Sequence, residues 1–172
     1  FDMAIEAVAR VTGVRLDIVG DGPEGERLRG MASDPALDGR VRLLGRIPRT
    51  ALLDRMGDAH ALIHPSFHDS GGMVCLEAMA AGRPVICLER NGPALLVGDT
   101  GLIVPAATRS AGVEGLVRAV RMLRDDRDMV RSMGQAARAH VRDHHTWDRR
   151  AESFATLHDQ LLGVRLATGK AV

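Results

Sequence analysis

Two carboxylates, Asp69 and Glu77, stand eight residues apart in the run H-P-S-F-H-D-S-G-G-M-V-C-L-E-A-M-A-A-G-R-P-V-I-C. The first lies in a glycine-rich loop, the second inside the helix expected to follow it. Ser70, Gly71 and Gly72 put little bulk between them, so a ligand can approach the backbone closely. A helix N-terminus gathers about half a positive charge, and its first amides are free to meet an anion. Acid, exposed amides and second acid can together grip a molecule with hydroxyls at both ends and phosphate in the middle. A nucleotide-sugar has that layout. Glu77 is flanked by Leu76, Ala78, Met79, Ala80 and Ala81, so its carboxylate is expected to be partly buried and in want of donors. A ribose 2′,3′-diol offers two, and hydrogen bonds to a charged group contribute about 1.5–3 kcal/mol each. The blander alternative, a flexible loop with a surface Asp and a helix-stabilising Glu, explains those apolar surroundings less well.

The elements that must position these residues alternate along the chain. Residues 1–8 are already in helical phase, with Met3, Ala7 and Val8 on one face. Strands are expected at 14–19, 41–44, 61–64, 84–88 and 102–104. Helices are expected at 24–32, 48–59 and 73–81, followed by three helical stretches near 111–124, 126–142 and 148–162. This alternation implies an α/β fold, a Rossmann-like parallel sheet with helices on both faces. Ligands of such sheets bind beyond the carboxyl ends of the strands. The loops 20–23, 45–48, 65–72 and 89–94 all follow strands and should line one crevice. Gly20-Asp21-Gly22 adds little alone, because a lone G-x-G fits a plain tight turn as well as a phosphate site.

Composition narrows the classes. A chain of 172 residues with 45% hydrophobic content can build one well-cored unit, so 1–172 is read as a single domain. The 23 basic and 22 acidic residues nearly cancel, which argues against a nucleic-acid or membrane-surface partner. Lys170 is the sole lysine, and the Arg, Ala and Gly bias reads as GC-rich bacterial codon usage. Cys75 and Cys87 form neither a disulfide framework nor a metal-ligand spacing, which suits a cytoplasmic protein. No apolar run nears the roughly 20 residues of a membrane span. Because the chain opens in mid-helix without capping residues, an upstream part is expected, and 164–172 is expected to be a flexible tail.

Two decoys are set aside. Asp69-Ser70-Gly71-Gly72 copies the run around the nucleophile of trypsin-like proteases, but those are disulfide-bonded β-barrels and motifs do not transfer without their context. Cys75 sits among apolar helix residues, where a thiol is usually inert. Of the histidines, His64 and His68 flank the loop and can reach a sugar hydroxyl or phosphate. His140, His144 and His145 lack a supporting carboxylate and read as a solvated helix end, so no metal is expected.

Taken with L-D-I-V-G-D-G-P, V-R-L-L-G-R-I-P and T-G-L-I-V-P, the acid-bearing run resembles the C-terminal domain of family 4 glycosyltransferases, which are retaining enzymes of the GT-B fold. The resemblance runs in order over nearly the whole chain, and H-H-T-W-D-R-R-A-E-S-F is similar to the family's closing helix. It implies the C-terminal half of a GT-B fold that binds a nucleoside-diphosphate sugar, the acceptor-binding N-terminal domain being missing. By resemblance Glu77 would hold the ribose hydroxyls and Asp69 the donor-sugar hydroxyls, with Ser70 and Gly71 in the same loop. The Gly72, Met73 and Val74 amides would meet sugar and diphosphate. Backbone at Arg46 and Ile47 would face the base, and Gly20 and Gly22 would border the phosphates.

The resemblance also implies transfer, in the longer enzyme, to an acceptor saccharide or lipid-linked saccharide, as in bacterial polysaccharide biosynthesis. No metal or other cofactor is expected, and any membrane association would come through the missing part. This chain alone is expected to be inactive. Three departures stand out. Asp69 is one methylene shorter than the family's Glu, Gly71 replaces a common aromatic residue, and the family's phosphate-clamping Arg and Lys would lie upstream of Phe1. Alternatives are a non-catalytic nucleotide-sugar-binding module and a fragment of a GT-B-like sugar epimerase.

Overall fold

The computed structural model describes residues 1–89 and 92–162. The tail expected at 164–172 lies outside the described residues, as do Arg90 and Asn91 of one expected cleft loop. In chain order the elements are α1 (Asp2–Ala9), β1 (Leu16–Val19), α2 (Gly25–Ala32), β2 (Val41–Gly45), α3 (Arg49–Asp58), β3 (Leu62–His64) and α4 (Met73–Ala80). They continue with β4 (Val85–Leu88), α5 (Gly92–Val97), β5 (Leu102–Val104), α6 (Arg109–Asp125), α7 (Arg127–His144) and α8 (Trp147–Leu162). The three last helices fall where the periodicity places them. Thr108 caps α6 by accepting from the Ala111 amide, and Asp126 caps α7 by accepting from the Met129 amide at 2.8 Å.

All strand pairs are parallel, but the sheet comes in two pieces. β1 pairs with β2, while β4 lies between β3 and β5. Among the described residues no ladder joins β1 to β3. The parallel α/β architecture is as the alternation implies, carried by two ladders.

Helices cover both faces, and β4 shows why. Successive strand side chains point to opposite faces, so Ile86 and Leu88 join α1 and α6 in one core with Met3, Ala7, Val113 and Leu116. Val85 and Cys87 join α4, α5 and α7 in another, with Cys75, Met79, Val97 and Ala137. A third core, Ile5, Val8, Ile18, Leu28 and Val41, seats α1 and α2 on the smaller sheet. α1 therefore spans both pieces. α4, the helix that carries Glu77, is held from behind by α7, where Gly134 meets the Gly82 carbonyl so closely that no side chain fits between.

The histidine cluster is less solvated than expected. His145 Nε2 lies 3.2 Å from His140 Nε2, and His145 Nδ1 is buried with no hydrogen-bond partner. Burial first, and then the neighbouring His140, hold the His145 imidazolium below its ordinary value of 6.5. The sign follows directly. The unfolded chain takes up this proton as pH falls through 6.5 while the folded chain resists it, so stability declines on acidification there. His145→Asn is expected to flatten the dependence of urea-unfolding free energy on pH between 7.5 and 5.5.

Candidate functional site

The carboxyl ends of the strands carry the residues singled out by the sequence. β3 ends at His64, and the loop after it turns back on itself around Asp69. Asp69 Oδ1 accepts from the amides of Gly71 at 2.8 Å and Gly72 at 3.0 Å. Its Oδ2 lies 2.8 Å from His64 Nε2, an oblique approach in which the imidazole nitrogen makes no straight hydrogen bond. The Gly72 and Gly71 amides, and after them the charge of His64, hold the Asp69 carboxyl below its ordinary value of 3.8. That anchoring is therefore complete above pH 3.8 and is lost as pH falls through the lower folded value.

Two glycines make this loop possible. Gly72 has φ +56, and a Cβ there would sit 2.9 Å from Pro93 Cγ and 3.1 Å from Pro93 Cα. Gly92 donates its amide to the Asp69 carbonyl at 2.9 Å. A Cβ on Gly92 would stand 2.3 Å from the Ser70 carbonyl oxygen. The Asp69 loop is thus seated against the start of α5, a helix of six residues that a Gly-Pro start disguised as loop.

The Gly72 amide, which the resemblance assigns to the ligand, donates to Asp69 Oδ1 in this structure. Free amides begin one residue later: among the described residues those of Met73 and Val74, in the first turn of α4, have no partner. One turn further, Glu77 is 19% exposed, so its carboxylate is mostly desolvated below these amides. Its Oε1 lies 2.7 Å from Nη1 of Arg49, the first residue of α3. The sequence reading did not single out Arg49. Its only signal was position, two residues beyond Ile47 in the loop assigned to the base.

The remaining candidates ring the same end of the fold. Gly20, with φ +122, donates to the Gly45 carbonyl at 2.8 Å and so ties the loop after β1 to the loop after β2. Positions 20 and 22 have no heavy atom within 4 Å of a built Cβ, so the backbone there is open to approach. Arg46 is exposed and Ile47 half-buried. Ser70 and Gly71 are exposed at the tip of the acid loop. An open depression of about 700 Å³ lies beside Asp69, lined by Phe67, His68, Ser70, Gly92, Ala94 and Leu95. Glu77 lies outside that lining, next to α3, so the depression marks only the Asp69 side of the cleft. Burial pushes the Cys75 thiol up to about 12 and the Cys87 thiol to about 11, which leaves neither as a nucleophile.

Asp69→Ala is expected to lower stability by about 1–2 kcal/mol by freeing two amides, an N-cap-sized loss. Asp69→Asn should keep most of it, because an amide oxygen can accept the same bonds. Equal losses in urea unfolding would contradict this cap.

The acidic loop and the half-buried Glu77 thus lie beyond the carboxyl ends of parallel strands, where open α/β sheets bind their ligands. Residues 1–140 match the glycosyl transferases group 1 family, and the chain belongs to it. It is 34% identical over 131 residues to the lipopolysaccharide core biosynthesis glycosyltransferase LpsE of Rhizobium meliloti, covering 75% of this chain and 37% of that protein. Among solved structures, sucrose-phosphate synthase from Thermosynechococcus elongatus superposes with a TM-score of 0.78 at 27% identity, over 94% of this chain and 42% of that one. Anabaena HepE in complex with UDP-glucose gives 0.75 at 21% identity, over 92% and 44%. The fold is α/β, with parallel strands flanked by helices, and its structural neighbours are GT-B glycosyltransferases. The chain spans well under half the length of these relatives.

Proposed function

We propose that this chain is the donor-binding domain of a retaining family 4 glycosyltransferase. A nucleoside-diphosphate sugar lies across the carboxyl ends of the strands, its ribose diol on Glu77 and its diphosphate at the Met73 and Val74 amides. Its base faces the backbone of Arg46 and Ile47, and its sugar lies toward Asp69 and the depression beside it. The observation that carries this reading is Glu77, a carboxylate 19% exposed, one turn below two amides that lack partners among the described residues. A half-buried acid beside a positive helix end suits a ligand that brings hydroxyl donors and an anion together.

Asp69 takes a different part from a free sugar ligand. With Oδ1 engaged by two amides, it holds the loop that shapes the sugar subsite and offers Oδ2 beside His64 to a hydroxyl. In the longer enzyme, transfer with retention proceeds through an oxocarbenium-like state while amides and basic groups stabilise the leaving diphosphate. Those protein groups take the place of a metal, and an acceptor saccharide arrives from the partner domain across the cleft. Nucleotide binding by this chain is tested by thermal unfolding with UDP, GDP, ADP and their sugar conjugates. Stabilisation near 2.7 kcal/mol at about a hundredfold excess over Kd is expected for one base family. No shift with any of them counts against the reading.

A further inference from the structure

Glu77 and Arg49 form an ion pair whose two ends are unequal. The Glu77 side chain is 19% exposed, whereas that of Arg49 is 70% exposed. Arg49 opens α3, where a cation meets the positive end of the helix dipole and gains nothing from it. Among the described residues Glu77 is the one acid within ion-pairing distance of Arg49. The arginine is thus held mainly by the acid, on a long stem reaching from the start of α3, just beyond the loop that carries Arg46 and Ile47. Such a counterion can leave at small cost, because an exposed arm keeps its water when the pair opens. A vicinal diol that seeks both oxygens of Glu77 meets Arg49 at Oε1.

We infer that Arg49 is a displaceable counterion that competes with the ribose diol for Glu77 and so sets the affinity of the nucleoside end of the donor site. The inference rests on the assignment of Glu77 to the ribose. It makes Arg49 a specificity-determining residue: only ligands that offer two hydroxyls to Glu77 have to displace it, and only they gain when it is gone. A guanidinium bound to the diphosphate would have the opposite signature, since its removal would weaken every nucleotide alike.

The test is calorimetric titration of the full chain, with Arg49→Gln and Arg49→Lys, against UDP, GDP and ADP, each beside its 2′,3′-dideoxy counterpart. For the base that the unsubstituted chain binds, Arg49→Gln should tighten the ribo form roughly two- to fivefold, the equivalent of one exposed ion pair. The dideoxy form should not change, and Arg49→Lys should restore the original affinity. Unchanged or weaker ribo binding in Arg49→Gln, or an equal gain for the dideoxy form, overturns the competition while leaving the donor site intact. Equal binding of ribo and dideoxy forms by the unsubstituted chain overturns the role of Glu77 itself, and this inference with it. Binding of none of the six ligands does the same.

Discussion

Replacing Glu77 by alanine is expected to weaken nucleoside-diphosphate binding on the order of 10²-fold or more, with little change in stability. The size follows from two charge-assisted hydrogen bonds to the ribose diol, each about 1.5–3 kcal/mol, when about 1.4 kcal/mol is a factor of ten. The small stability effect follows from the partner: Arg49 is 70% exposed and returns to water when the carboxylate is removed. Glu77→Gln separates charge from shape. It keeps an acceptor for one hydroxyl and loses the charge, so its affinity should fall between the two. Calorimetry on both variants, with circular dichroism to check the fold, reads this directly. Alanine binding within about threefold of the original would remove Glu77 from the site.

The largest effect on stability is expected at Gly134, where α7 crosses the end of α4. A Cβ there would stand 2.1 Å from the Gly82 carbonyl oxygen and 3.0 Å from its carbon. Both are backbone atoms, so no rotamer change relieves the clash. Gly82 itself has φ +73 as the chain leaves α4, and moving it displaces the helix that presents Met73, Val74 and Glu77. Gly134→Ala should cost about 1–3 kcal/mol or more through overpacking, and should weaken nucleotide binding as a consequence. Gly30→Ala, in α2 with open space around the new methyl, is the control and should be neutral or slightly stabilising. A Gly134→Ala protein as stable in urea as Gly30→Ala would contradict the close crossing of α4 and α7.

Much of this architecture was legible because local pattern and tertiary role coincide. Val85-Ile86-Cys87-Leu88 reads as a strand buried on both faces, and each face does meet helices. α6 and α7 were legible as helical stretches, whereas their caps, Thr108 and Asp126, emerge only in the fold. α5 was not legible, since Gly92-Pro93 looks like a turn and six residues carry too little periodicity to outweigh it. The break between β1 and β3 was also invisible, because a strand's sequence records that it is buried and not which neighbour it pairs with.

At the site, residue types and spacing gave the two acids, but not the direction in which each points. Asp69 had a signal that was passed over. An Asp followed by Ser-Gly-Gly is the pattern of a side chain that folds back onto its own amides, and it does so here. Arg49 had none beyond its neighbours, because an ion pair between α3 and α4 exists only once both helices are packed. The pairing of His140 with His145 likewise depends on how the chain leaves α7.

Chemical-shift mapping puts the donor site to the most direct test. The ¹⁵N-labelled chain would be titrated with UDP-glucose, GDP-mannose and ADP-glucose, and each amide followed. For one of the three, the largest perturbations should fall on Met73 and Val74, with smaller ones at Arg46, Ile47 and Gly20, and saturate together. Perturbations centred instead on the exposed face of α8, around Trp147, Phe154 and Leu161, or on no residue at all, would contradict a donor site at the carboxyl ends of these strands.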